Sequence, residues 1–144
     1  MKNFTAHLLT LLIITLFVTG CGKSISVGGK VVFSDGEPLG TGKVVFEDGK
    51  NAYRGKINED GTFSLGQLKD GEGIPPGRYQ VYVAEAWRFE PDNLNQIELV
   101  NVKYRRKDTS EIAYEITGKR TDIVITVEKP AKPKGINKQP KQLK

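Results

Sequence analysis

The sequence predicts an all-β domain over residues 25–128. Apolar residues alternate with polar ones in seven short runs, Asp-Gly or Gly/Pro turns separate these runs, and no stretch shows helical periodicity. Runs of this period and length are typical of antiparallel strands that bury one face. Seven strands in about 105 residues is the size of an immunoglobulin-like or transthyretin-like sandwich. We therefore expect a seven-stranded antiparallel sandwich.

The expected strands follow one another with turn residues between them. Asp35-Gly36 and Asp60-Gly61 supply residues that tolerate positive φ in tight turns. Pro75-Pro76-Gly77 begins the fifth strand from a rigid turn, and residues 94–100 are expected to form a short turn or an extra strand. The seven strands are expected at residues 25–33, 44–46, 53–57, 63–65, 79–83, 112–116 and 123–127.

Residues 1–20 have the features of a signal peptide. Lys2 supplies a positive charge, and the mostly apolar run 4–18 is short for a membrane-spanning helix, which needs roughly 20 apolar residues. Small residues then precede a cysteine in the order Val18-Thr19-Gly20-Cys21. This order resembles the bacterial lipobox, which implies a lipid on the sulfur of Cys21 and a mature chain that begins there.

An ordinary signal peptide and an uncleaved anchor helix are the alternatives to a lipobox. Cys21 is the single cysteine of the chain, so an intramolecular disulfide is impossible and lipidation is favoured. Two or more acyl chains hold a protein stably on a bilayer, whereas one binds reversibly. Residues 21–24 are thus expected to be a lipidated linker of a cell-envelope protein. Gly22 in place of aspartate resembles the sorting signal for an outer membrane.

The positive charge of the chain is concentrated at its C-terminal end. The net charge is +5, but Lys2 and the six lysines of residues 129–144 supply seven positive charges, which leaves residues 21–128 at −2. Residues 129–144 also hold three prolines and no acidic or aromatic residue. Such a composition predicts a disordered tail. An anionic envelope polymer is its expected partner, through salt-dependent contacts; nucleic acid is not expected for an exported protein.

A series of short motifs occupies the predicted domain in a fixed order. They are VGGKVVF (27–33), DGEPL (35–39), GKVVF (42–46), GKINEDGTFSL (55–65), DGEGIPPGRYQV (70–81), KY (103–104), TS (109–110) and IAYEI (112–116). The series resembles the small lipoproteins of planctomycetes and related bacteria that carry a carboxypeptidase regulatory-like (transthyretin-like) domain. The resemblance implies a cell-envelope accessory module with no established activity. The chain departs from it in lacking a proline shortly before residue 103 and in carrying basic residues at 105–107.

The residue types of the mature chain restrict its chemistry. His7 is the single histidine and falls in the predicted signal peptide, which removes Ser-His and Cys-His catalysis and histidine or thiolate zinc sites. Thr109-Ser110 is interpreted as a turn, and residues 58–61 as a hairpin turn because they lack the ligand series of a calcium loop. No catalytic residue, metal site or cofactor is predicted, and no enzymatic activity.

Two pairs of residues are candidates for ligand contact. Trp87 and Phe89 lie in a segment that would stack on sugar rings, or else would fold over an open edge of the sandwich. Arg105 and Arg106 would favour anionic polymers, or else form a solvated loop. The predicted function is a non-catalytic structural, adhesion or interaction module. The alternative is a carbohydrate-binding or substrate-capture lipoprotein that uses the Trp87 loop.

Overall fold

The part of the chain that the structure describes is built mainly from β-strands in three sheets. A computed structural model describes residues 24–92 and 95–131, so the predicted signal peptide, Cys21 and residues 132–144 of the predicted tail lie outside the description. Residues Val102–Arg105 form a 3₁₀ helix, η1, and residues Lys107–Ser110 form one helical turn, α1. The strands are β1 (Val27–Phe33), β2 (Lys43–Glu47), β3 (Ala52–Lys56), β4 (Thr62–Ser64), β5 (Gly77–Ala84), β6 (Trp87–Phe89), β7 (Gln96–Glu98), β8 (Ile112–Ile116) and β9 (Arg120–Val127).

The sheets have the orders β4-β1-β9, β3-β2-β5-β8 and β6-β7. The all-β prediction is confirmed, and the arrangement is consistent with a sandwich. Each of the seven predicted runs coincides with a strand of the two larger sheets, while β6 and β7 bring the number of described strands to nine. Within the described segments no helix is long and apolar enough to span a bilayer.

One strand pair differs from the antiparallel expectation, because β1 and β9 run parallel. Hairpins force neighbouring strands to be antiparallel, but β1 and β9 are the first and last strands and no tight turn joins them. Val27 pairs with Arg120 at one end of the ladder, and Phe33 pairs with Val127 at the other. The chain therefore enters the sandwich at one end and leaves it at the opposite end.

The two ends of the sandwich are called here the entry pole and the exit pole. The turns at 48–51 and 117–119 and the long loop 65–76 lie at the entry pole, beside the start of β1. The turn at 57–61 and the segments 85–92 and 95–111 lie at the exit pole, beside the end of β1. The seven residues of β1 separate the poles by about 23 Å, at about 3.3 Å per residue.

The core lies between the two larger sheets. Phe46 of β2 is fully buried and lies within 6.4 Å, centroid to centroid, of the rings of Phe63, Tyr79 and Tyr114. The Tyr79 hydroxyl donates to the carbonyl of Pro75 at 2.6 Å, and burial raises the pKa of Tyr79 to about 12. The folded state therefore favours the neutral hydroxyl of Tyr79. The stability that this preference contributes is present below about pH 10 and is lost as the pH rises from about 10 towards 12.

The parallel pair depends on a close approach of two backbones. A Cβ on Gly29 would lie 1.9 Å from the carbonyl oxygen of Ile123, which is closer than any real contact. The register of β1 against β9 shifts at this point, between Val27 and Gly29. Only glycine fits there without moving β9, because the obstacle is backbone and cannot rotate away.

We therefore expect Gly29→Ala to lower the free energy of unfolding by about 2–3 kcal/mol, as overpacking against fixed atoms does. Gly118→Ala is the matched control, since nothing lies within 4 Å of a Cβ at Gly118. That variant should stay within about 0.5 kcal/mol of the wild type. Urea unfolding of both variants makes the measurement, and equal stabilities would contradict the described β1–β9 pairing.

Candidate functional site

The hairpin formed by β6 and β7 projects from the exit pole. Glu85 turns the chain out of β5 with a left-handed φ of 55°, and its carboxylate lies 2.8 Å from the ammonium of Lys43. Ala86 is buried at the base of the hairpin, where its carbonyl accepts from the amide of Leu99 at 2.9 Å. The hairpin is therefore attached to the core at its base. The pairing of β6 with β7 determines which side chains share each face of the hairpin.

One face of this hairpin collects aromatic and polar side chains. Trp87 pairs with Glu98, and Phe89 pairs with Gln96. Residues directly opposite each other in an antiparallel pair project from the same face. Trp87, Phe89, Gln96 and Glu98 thus share one surface, called here the hairpin face. The prediction that residues 94–100 carry a turn or an extra strand is confirmed for residues 96–98.

The two aromatic rings of the hairpin face form a corner. Their centroids lie 5.0 Å apart with an angle of 67° between the ring planes, which is an edge-to-face arrangement. Phe89 is 55% exposed, whereas Trp87 is partly covered. A ligand would therefore contact the exposed Phe89 ring and the open side of Trp87 at an angle, and would not rest on a flat platform.

A row of hydrogen-bonding groups runs beside the rings. The Gln96 side-chain amide donates to Glu98 Oε1 at 3.1 Å, and Arg105 Nη1 lies 3.1 Å from Glu98 Oε2. Arg105 is thereby brought to the hairpin from η1. Its buried Nε has no hydrogen-bond partner among the described residues. Sequence reasoning missed Gln96 and Glu98, because three residues are too few to show the alternation of a strand.

The segment that carries Arg105 is pinned to the sandwich by side-chain bonds. Asn101 Oδ1 accepts from the amide of Lys103 at 3.1 Å, and the Thr109 hydroxyl donates to the carbonyl of Lys103 at 2.7 Å. The buried Ser110 hydroxyl donates to the carbonyl of Val81 in β5. Thr109 and Ser110 thus have structural hydrogen bonds that hold the segment in place.

Arg106 points to a different surface. Its Nη2 lies 3.3 Å from Asp108, and the side chain is well exposed. It lines a cleft of about 230 Å³ with Arg105, Tyr82, Glu47 and Lys107 among others. The Glu47 carboxylate accepts from the Lys107 ammonium at 2.6 Å and raises the pKa of Lys107. Of the four predicted contact residues, Trp87 and Arg105 both neighbour Glu98, Phe89 packs on Trp87, and Arg106 pairs with Asp108.

A second cleft of about 410 Å³ lies at the exit pole between the hairpin and the end of β1. Lys129, the first residue of the predicted tail, lines it. The Lys129 ammonium donates to Asp35 at 2.7 Å and to Glu37, and it lies 5.0 Å from the centroid of Phe33. These bonds raise the pKa of Lys129 and lower the pKa of Asp35. The chain therefore leaves the domain fixed against the exit pole.

The hairpin face offers stacking and hydrogen bonding to a ligand. The rings supply apolar contact, Glu98 accepts, and Gln96 and Arg105 donate. In the regions that the structure covers, no three His, Cys, Asp or Glu side chains are grouped closely enough to hold a metal ion. The arrangement is a surface that combines two aromatic rings with polar side chains.

The end of the Arg105 segment is strained at Glu111, which has a left-handed φ of 55° after α1. We expect Glu111→Gly to be more stable than Glu111→Ala by about 1 kcal/mol, because glycine adopts this φ without steric cost. The exposed pair with Lys103, 3.4 Å long, contributes little that either variant loses.

Asp108, inside α1, is the matched control for this measurement. There we expect the opposite order, with Asp108→Gly less stable than Asp108→Ala, because glycine costs conformational entropy in a helix. Urea unfolding midpoints compare the two pairs. The same order at both positions would contradict the left-handed conformation of Glu111.

Comparison with known proteins adds no relative to this description. No protein-family model, no curated protein and no solved structure matches the chain. The resemblance to carboxypeptidase regulatory-like lipoproteins rests on the motifs of the sequence.

Proposed function

We propose that this chain is a lipid-anchored cell-envelope protein whose β-sandwich is a non-catalytic interaction module. The observation that carries the proposal is the parallel pairing of β1 with β9. It separates the start of β1, which Cys21 precedes by a few residues, from the hairpin face and the departure of the chain at Lys129. An anchor at one pole thus leaves the opposite pole free for a partner.

The short linker sets how the domain sits on the bilayer. Three residue steps separate Cys21 from Ser24, a reach of about 10 Å. With two or more acyl chains on Cys21 the attachment is stable. The entry pole then faces the membrane, with the hairpin face about 23 Å further out. An outer membrane is the proposed location, by the resemblance of Gly22 to a sorting signal.

The fold type belongs to the same proposal. We infer a seven-stranded sandwich of transthyretin-like or immunoglobulin-like type, into which the β6–β7 hairpin is inserted as an addition. Two motif glycines support this, since Gly36 and Gly61 adopt φ of 87° and 83° in the turns where the motif series has them. The family that the motifs resemble, small lipoproteins with a carboxypeptidase regulatory-like domain, is proposed on the same ground.

The Lys-rich tail is proposed to act at the exit pole. Lys129 is bound to Asp35 and Glu37, so the residues that follow it start from that pole. Their charge favours an anionic envelope polymer over a neutral one, and salt would weaken the contact.

Lipid anchoring is tested at Cys21. We expect Cys21→Ser to move the protein from the membrane fraction to the soluble fraction, because the thiol that would accept the lipid is gone. Mass spectrometry of the wild-type N-terminus should find acyl chains on Cys21. Ser24→Ala is the control variant and should stay with the membrane. A Cys21→Ser protein that remains membrane-bound would contradict the proposed anchor.

A carbohydrate ligand at the hairpin face is the second candidate function. The observation that favours it is the row of Gln96, Glu98 and Arg105 beside the Trp87 and Phe89 rings. Sugars present C–H faces that pack on aromatic rings and hydroxyls that bond to carboxylate, amide and guanidinium groups. One small surface with both features fits a glycan chain better than a purely apolar partner.

Glycan binding is tested at Trp87. We expect the wild type to bind a subset of an envelope-glycan array, and Trp87→Ala to weaken binding at least tenfold, which corresponds to about 1.4 kcal/mol. Phe89→Ala, at a more exposed ring, should weaken it without affecting folding. Val102→Ala is the control, being 62% exposed outside the hairpin face. Equal binding by all four proteins would exclude this surface.

A further inference from the structure

The chain contains four Asp-Gly sequences, and each lies in a connection between two strands. Glycine has no side chain to shield its amide nitrogen, so an aspartate before glycine is where a backbone cyclises most readily. The four turns differ in how firmly they hold the groups that would react. The sequences are Asp35-Gly36, Asp48-Gly49, Asp60-Gly61 and Asp70-Gly71.

The reaction joins the nitrogen of the glycine to Cγ of the aspartate. The nitrogen loses its proton and the neutral carboxyl group loses its hydroxyl, so one water leaves and a five-membered succinimide ring forms. A second water then opens the ring at either carbonyl and restores the mass. One product is aspartate, and the other is isoaspartate, in which the main chain passes through Cβ and Cγ. The amide and the carboxyl group must therefore both be free to rotate.

Two of the four glycine amides are held by the turns that they close. The Gly36 amide donates to the carbonyl of Phe33 at 2.9 Å, and the Gly61 amide donates to that of Asn58 at 2.8 Å. Rotation of either amide towards the preceding aspartate would break the hydrogen bond that closes the turn.

Three of the four carboxylates are held as well, each by two hydrogen bonds. The pairs of donors are the Lys129 ammonium and the Glu37 amide for Asp35, the Lys50 and Asn51 amides for Asp48, and the amide and hydroxyl of Thr62 for Asp60, at 2.6–3.1 Å. These hydrogen bonds lower the pKa of all three carboxyl groups. They therefore also disfavour the neutral carboxyl group that ring closure needs.

Asp70 and Gly71 lack both kinds of protection. They are the two central residues of a turn in which the Glu72 amide donates to the carbonyl of Lys69 at 3.3 Å. The Gly71 amide has no hydrogen-bond partner among the described residues, so the peptide that carries it can rotate without breaking a bond. Asp70 accepts one hydrogen bond, from the Lys56 amide at 3.4 Å, beyond the roughly 3.2 Å at which such bonds usually end.

We infer that Asp70 is a site of covalent modification, at which the folded domain converts aspartate to isoaspartate. Both residues of the sequence are exposed, and nothing lies within 4 Å of a Cβ at Gly71, so water reaches the ring and the longer main chain has room. The inference does not depend on the proposed lipid on Cys21.

The base of the loop confines the change to the loop itself. Gly66 and Arg54 exchange backbone hydrogen bonds of 2.9 and 3.0 Å, and the Gly73 amide donates to the carbonyl of Leu65 at 2.9 Å. The extra main-chain carbon thus falls between two fixed points outside the strands. We expect the modified domain to stay folded, so that isoaspartate accumulates in the native protein.

The test follows the full chain during incubation at physiological temperature. Samples are digested with a protease that cleaves before aspartate but not before isoaspartate, and electron-transfer fragmentation locates the product. We expect isoaspartate to form at position 70 at least about fivefold faster than at positions 35, 48 and 60, the factor that corresponds to one broken hydrogen bond of about 1 kcal/mol. Equal rates at the four positions, or a faster rate at another position, would overturn the inference.

The same chain unfolded in urea is the control for the role of the fold. There the four positions should react at similar rates, since each has the same Asp-Gly sequence; a preference for position 70 that persists in urea would overturn the structural explanation. Asp70→Glu should abolish the product at this position, because glutamate would have to close a six-membered ring. Asp48→Glu is the matched variant and should leave the rate at position 70 unchanged.

Discussion

The parallel ladder between β1 and β9 is the constraint on which the other features depend. It joins two strands that are about ninety residues apart in the chain, and it admits no side chain at Gly29, where the backbone of Ile123 approaches. Its register sets the start of the domain at one pole and its end at the other. The location of the hairpin face and of Lys129 follows from this one pairing.

Closing the ladder has a cost that the rest of the fold must offset. Loop-closure entropy rises with the length of chain between two partners, so β1 and β9 gain their hydrogen bonds only after the intervening strands bring them together. The four-stranded sheet is more local, since β2 and β3 are joined by a short turn. Phe46 of that sheet packs against Phe63 of the other, and this contact links the local part of the fold to the long-range part.

The sequence was a good guide where a strand is long enough to alternate. β5 and β9 have eight residues each, and their buried positions follow the period of two. β6 and β7 have three residues each, too few for a period, so Trp87 was expected on a loop and its partner Glu98 was missed. Alternation also cannot tell which strands are neighbours. The pairing of β1 with β9 was therefore beyond it, as were the bonds of Lys129 to side chains more than ninety residues away.

The arrangement of the chain ends also decides how the domain responds to tension. A pull between Ser24 and Pro130 runs along β1 and β9, because the two strands are adjacent and point the same way. Their hydrogen bonds lie across that direction and are strained together, whereas in a hairpin pulled from its open end they would separate one after another. The Gly29 contact and the bonds of Lys129 to Asp35 and Glu37 lie on the same line of force. The fold is thus mechanically stiffest along the axis from its entry pole to its exit pole.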